Sequence, residues 1–121
     1  VPDGGSTYML MRAVGRARAM EMMLLGEKIP ADKALAWGLI NRVVPAQELG
    51  QAALALATEL ASGPTKSLGL IRKAGWESLD NGWADQIRLE RELQRDAGRT
   101  AGFREGVTGF LTKTKAIFSG N

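Results

Sequence analysis

The sequence contains no histidine and no cysteine. The first absence removes the side chain that most often serves as a general base near neutral pH and most often binds transition metals. The second removes thiolate nucleophiles, disulfides and cysteine-based metal sites. Acid–base chemistry here falls to Asp, Glu, Lys or the single Tyr, and a serine triad has no base within the chain. Long apolar runs are also missing. Gly, Lys or Glu interrupts each one within a few residues, so no stretch can span a bilayer and no membrane partner is expected. The opening residues, Val1-Pro2-Asp3-Gly4-Gly5, carry neither a basic start nor an apolar run and do not read as a signal peptide. They include no initiating Met, which fits a chain cut from something longer and equally an ordinary processed terminus.

Charge of one sign is scarce as well. Sixteen Lys and Arg stand against 13 Asp and Glu, a net of +3. In Arg88-Leu89-Glu90-Arg91-Glu92 the signs alternate, the pattern of a solvated helix face. Nucleic-acid binding calls for a one-sided basic stripe with aromatic interleaving, and none is present. Individual lysines can still meet the phosphates of a small ligand.

What is present suits one small domain. The chain has 121 residues, 45% hydrophobic and 24% charged, enough for a modest core. Its pattern is a succession of helices. Turn chemistry at Asp3-Gly4-Gly5-Ser6 precedes helical spacing through Met9, Leu10, Ala13 and Val14. Gly15 interrupts, and residues 16–25 resume through Ala19, Met20, Met23 and Leu24 until Gly26 stops them. Pro30 opens a short helix through Ala31, Ala34, Leu35 and Trp37 that Gly38 closes. Residues 39–44, with Ile40, Val43 and Val44 between Gly38 and Pro45, read as one short strand. Residues 46–61 place Leu49, Ala53, Leu56 and Leu60 on one stripe. Pro64 restarts a helix through Leu68, Ile71 and Ala74, and Asp80-Asn81-Gly82 turns the chain. Residues 83–99 form a long helix with Ile87, Leu89, Leu93 and Ala97 on its apolar side. Thr100 caps a final helix through Phe103, Val107, Phe110 and Leu111. The expected fold class is mostly α with one short strand. A lone strand cannot satisfy its own backbone groups, and the stripes are wide, so upstream sequence or an oligomer is expected to complete the packing.

Three runs carry a family resemblance. Val1-Pro2-Asp3-Gly4-Gly5-Ser6-Thr7 leads into Leu10, Arg12, Val14-Gly15, Ala19-Met20-Glu21 and Leu25-Gly26-Glu27. The second run is Ala31, Ala34, Trp37-Gly38-Leu39-Ile40 and Val43-Val44-Pro45. The third is Glu105-Gly106 with Phe110 and Lys113, then Phe118 and Gly120. In this order and at these separations they resemble the carboxy-terminal half of the crotonase (enoyl-CoA hydratase/isomerase) family. The Pro-Asp-Gly-Gly wording and residues 89–99 look most like the branch of 1,2-epoxyphenylacetyl-CoA and enoyl-CoA isomerases. Thr114 and Ala116 depart from the family's usual Arg and Pro, and Gly102 from a frequent acidic residue.

The resemblance implies the following. The fold is the carboxy-terminal part of a ββα-spiral, with residues 1–45 ending the core and residues 46–121 forming a helical trimerisation region. The enzyme is cytoplasmic, works on acyl-CoA in fatty-acid metabolism or phenylacetate degradation, and assembles as trimers or dimers of trimers. CoA is part of the substrate, and neither cofactor nor metal is needed. Two backbone N–H groups that stabilise the thioester enolate belong to segments preceding Val1, as do the two glutamates of the family's hydratases. The isolated chain is expected to be inactive, with the missing amino-terminal half as its natural partner.

The resemblance makes Asp3 the catalytic acid/base, because the proton must leave one carbon and return to another and one carboxylate can do both. Read from the chain alone, Asp3 is more simply a turn or helix-capping residue before Gly4-Gly5. Gly4 and Gly5 let the backbone approach a substrate, or only make a turn. Tyr8 lines the acyl pocket, or sits half-buried in a core. Lys113 offers a point charge to a CoA phosphate and Phe110 an apolar face to its adenine; otherwise they are a solvated Lys and a core Phe. A different class of reading is a non-catalytic helical module that serves only self-association.

Overall fold

Wherever apolar residues recur every three or four positions, the chain coils, and 69% of it is helical. The computed structural model describes residues 1–120. It divides into two compact units, the first Val1–Leu49 and the second starting at Gly50.

In the first unit, α1 (Ser6–Leu25) follows the Asp3-Gly4-Gly5 turn. Its helical backbone is broken at Gly15, with φ 77° and ψ 165°, as the interruption in the apolar spacing predicts. Gly26 ends it in the left-handed region, donating its N–H to the Met22 carbonyl at 3.1 Å. The short α2 (Ala31–Ala36) starts after the extended Pro30. It ends in a paired bond set, Gly38 N–H to Leu35 and Leu39 N–H to Ala34, that satisfies the last carbonyls of the helix. The side chains of α2 reach α1 through Lys33, 3.7 Å from the Glu21 carboxylate. The Trp37 ring has Lys33 Nζ 4.5 Å from its centroid and the Arg18 guanidinium 5.3 Å away. Val14, Ala19 and Ala34 are the buried apolar residues of this unit.

The strand expected at residues 39–44 is not formed. The segment has no ladder partner, and no strand occurs among the described residues. A β-rich composition makes a strand only where a neighbouring backbone accepts its hydrogen bonds; here it leads instead into a 3₁₀ turn, Ala46–Glu48.

The second unit is a run of helices: α3 (Leu49–Ala61), α4 (Thr65–Glu77), α5 (Trp83–Gly98) and α6 (Ala101–Thr112). Helix α5 packs on both α4 and α6. The α4–α5 corner is fastened by Gln86, whose amide accepts from Asn81 Nδ2 at 3.0 Å and donates to the Ala74 carbonyl at 3.2 Å. Thr100 caps α6 as its sequence position predicts, accepting the Phe103 N–H at 3.0 Å.

Of the stripes Leu49/Ala53/Leu56/Leu60 and Ile87/Leu93/Ala97, only Leu93 is buried. It borders an open groove of about 290 Å³ with Ile71, Ala74 and Phe103. Part of the space left by truncation is therefore already wet, so Leu93→Ala is expected to cost about 2–3 kcal/mol, the low end for a buried Leu. Urea unfolding followed by circular dichroism checks this; a loss below about 0.5 kcal/mol, the range of surface substitutions, would mean Leu93 is not the anchor of this unit. No helix among the described residues is long and apolar enough to cross a membrane.

Candidate active site

The residues preceding α1 form a four-residue turn. The Asp3 carbonyl accepts the Ser6 N–H at 3.0 Å, and the Ser6 hydroxyl donates to the same oxygen. Gly4 and Gly5 occupy the two central positions with φ of 59° and 85°. Positive φ at both is the signature of a type I′ turn, which a residue with a Cβ adopts only at a cost. The turn reading of the glycine pair is thus what the backbone requires.

The Asp3 carboxylate takes no part in holding this turn. The N-cap of α1 is Gly5, with no side-chain capping bond, and Asp3 is exposed. Asp3 therefore does not cap the helix in this structure. The turn is fixed by backbone, and the carboxylate is left available for other work.

Tyr8 stands in the first turns of α1, 37% exposed. The Arg12 guanidinium lies 3.4 Å from the centre of its ring, and Arg12 Nη1 is 3.4 Å from the Tyr8 carbonyl. Spacing of four residues on a helix puts the two side chains on one face. This cation–π pair was legible in principle from that spacing and was missed, as were the contacts of Arg18 and Lys33 with Trp37.

Phe110 and Lys113 sit at the end of α6. Phe110 is 84% exposed on the rim of an apolar groove of about 360 Å³ that Phe103, Val107 and Phe118 also line. Phe110 is thus not a core residue of the described chain. Lys113 has φ 56° and ψ 34° and is the one non-glycine residue with positive φ among the described residues. The Thr114 N–H reaches the Gly109 carbonyl at 3.0 Å, and Lys113 N–H that of Phe110 at 3.4 Å. Helices that end this way usually place Gly where Lys113 stands.

Other members of the closing run have structural work. Glu105 accepts the Ile117 N–H at 2.9 Å, which ties the tail back to α6. Gly109 leaves room for that return: an added Cβ would lie 3.0 Å from the Thr114 carbonyl oxygen. Of the candidate residues, Asp3, Gly4, Gly5 and Tyr8 fall in the first unit and Phe110 and Lys113 in the second. Among the described residues no group of His, Cys, Asp or Glu side chains could hold a metal ion.

The sequence profile described as Enoyl-CoA hydratase/isomerase matches residues 1–121. The chain belongs to the enoyl-CoA hydratase/isomerase family. Among similar family members, the 1,2-epoxyphenylacetyl-CoA isomerase of Escherichia coli K12 is 46% identical over 120 residues, covering 99% of this chain and 46% of that protein. The trans-2-decenoyl-acyl-carrier-protein isomerase of Streptococcus mutans is 34% identical, covering 98% of this chain and 45% of that protein. A crystal structure of enoyl-CoA hydratase subunit I from Geobacillus kaustophilus superposes with a TM-score of 0.95 at 31% identity, over 99% of this chain and 47% of that one. The chain spans a little under half the length of these family members. The fold is that of the corresponding part of solved enoyl-CoA hydratases.

Proposed function

We propose that the whole enzyme to which this chain contributes isomerises the double bond or ring of an acyl thioester, with Asp3 as the group that moves the proton. The single observation that carries this reading is the Asp3 turn. Its carboxylate is exposed and spared from capping, while backbone bonds and two positive-φ glycines hold the turn in place. In the isomerisation, Asp3 takes a proton from the carbon beside the thioester carbonyl. Electrons flow into the carbonyl to give an enolate, and the proton returns to a different carbon. Two N–H groups from segments outside these 121 residues hold the enolate oxygen. Hydration of an enoyl thioester is the sister reaction in this family, and the family's glutamates for it lie outside the chain too.

The carrier of the acyl group is coenzyme A, which enters and leaves with the substrate, so no separate cofactor is required. The names of both isomerase relatives support thioester substrates, one on CoA and one on an acyl-carrier protein. Lys113 supplies a positive charge for a phosphate of the carrier and Phe110 an exposed apolar face for the adenine. Exposed Leu49, Leu60 and Leu111 support burial between subunits, as trimers or dimers of trimers. Uncovered apolar faces equally suit a purely self-associating module, which would ignore the thioester. Cytoplasmic operation completes the proposal.

The test is turnover of a 3-enoyl-CoA by the full-length enzyme, read as formation of the conjugated 2-enoyl thioester. Lys113→Gly sharpens it. Relief of the positive φ is expected to stabilise the protein by about 1 kcal/mol, while loss of the charge raises KM roughly ten-fold at unchanged kcat. A Lys113→Gly enzyme with unaltered KM removes Lys113 from the carrier site. No turnover of 2-enoyl-CoA, 3-enoyl-CoA or 1,2-epoxyphenylacetyl-CoA removes the proposal itself.

A further inference from the structure

Among the described residues nothing packs against the break inside α1. A Cβ added at Gly15 would meet nothing within 4 Å, so space does not demand a glycine there. Conformation does: φ 77° with ψ 165° lies in a region that essentially only glycine occupies. Helix continues on both sides, anchored by buried Val14 before the break and buried Ala19 after it. The later half, residues 16–25, is tied to α2 through Glu21–Lys33 and through Arg18 on the Trp37 ring. The earlier half, residues 6–14, carries the Asp3 turn at its start.

We infer that Gly15 is a positioning residue: its backbone geometry sets the direction of the half-helix that aims Asp3. The inference rests on the proposed acid/base role of Asp3. Nine helical residues make a lever of about 13 Å, so a tilt of about 10° at Gly15 moves the Asp3 turn by about 2 Å. Misplacing a reacting group by about 1 Å can cost roughly a hundred-fold in rate. An L-residue at position 15 abandons the observed φ, and the lever carries that change to the carboxylate.

In the full-length enzyme, Gly15→Ala is expected to leave the helical circular dichroism and KM in place while kcat falls roughly a hundred-fold. Gly75→Ala, at a helical glycine with equally open surroundings, leaves kcat unchanged. In an Asp3→Asn background, Gly15→Ala lowers the residual rate no further, which a general loss of packing does not predict. D-alanine at position 15, introduced on a ligated synthetic segment, accepts positive φ and keeps the parent kcat. That arm also decides the case in which the L-alanine chain does not fold: an active D-alanine enzyme supports the inference and an inactive one overturns it. Gly15→Ala with parental kcat, or a further hundred-fold loss in the Asp3→Asn background, overturns it too. If Asp3→Asn is itself fully active, the acid/base role fails and takes this inference with it. If Asp3→Asn is inactive and Gly15→Ala is active, the positioning role alone fails.

Discussion

Asp3→Asn in the full-length enzyme is expected to lower kcat by about 10²–10⁴-fold while the fold, the assembly and KM stay as they are. The substitution keeps the size and shape of the side chain and removes only its ability to accept and return a proton. Nothing that holds the turn depends on the carboxylate. The Ser6 N–H and hydroxyl both bond to the Asp3 backbone carbonyl, and the glycine pair supplies the two positive φ values. In the 121-residue chain itself Asp3 is exposed, so Asn there strands no buried charge and leaves no orphaned polar group. For that chain a stability change beyond about 0.5 kcal/mol would be unexpected. The comparison is made at saturating 3-enoyl-CoA, with thermal unfolding run alongside. A self-association module predicts the same unfolding curve and no catalytic effect to lose, and an Asp3→Asn enzyme with parental kcat would end the acid/base reading.

Much of the helix pattern was legible because local chemistry decides it. Gly15 and Gly26 announced themselves by interrupting sustained apolar spacing, and Thr100 by standing just before a new stripe. The failure at residues 39–44 has the opposite origin. Ile40, Val43 and Val44 give a strand-like composition, but ladder partners are a non-local matter and no composition reveals whether one is in reach. At the site, the family resemblance led to Asp3 and Lys113, whereas what sets them apart in the structure is conformational. That no side chain caps α1, and that Lys113 sits where glycine is favoured, are facts of φ and ψ. Tyr8 shows the remaining limit: spacing alone allowed a pocket wall or a core residue, and it gave no sign that the Arg12 guanidinium lies over the ring.

The isolated 121-residue chain is expected to isomerise no acyl-CoA above the uncatalysed rate, even with Asp3 intact. A proton cannot be drawn from the carbon beside a thioester at useful speed unless the negative charge developing on the carbonyl oxygen is met by donors already in place. Removing one such donor typically costs about 10²–10³-fold, and the proposed mechanism takes both from segments outside this chain. Water offers hydrogen bonds in their stead, but it must reorient as the charge forms, and in high dielectric those bonds stabilise the enolate far less. The exposed Asp3 turn meets the same solvent, which competes for the carboxylate and leaves the acyl chain unheld. A mixture of the chain with a separately produced amino-terminal segment is expected to regain activity if the two associate, because only then do donors, carboxylate and substrate share one dry cavity. The measurement is 2-enoyl thioester formation from 3-enoyl-CoA by the pure chain, with Asp3→Asn chain as the background. Turnover by the pure chain above that background would show that the donors are not external, and would move the oxyanion site onto the backbone of these residues.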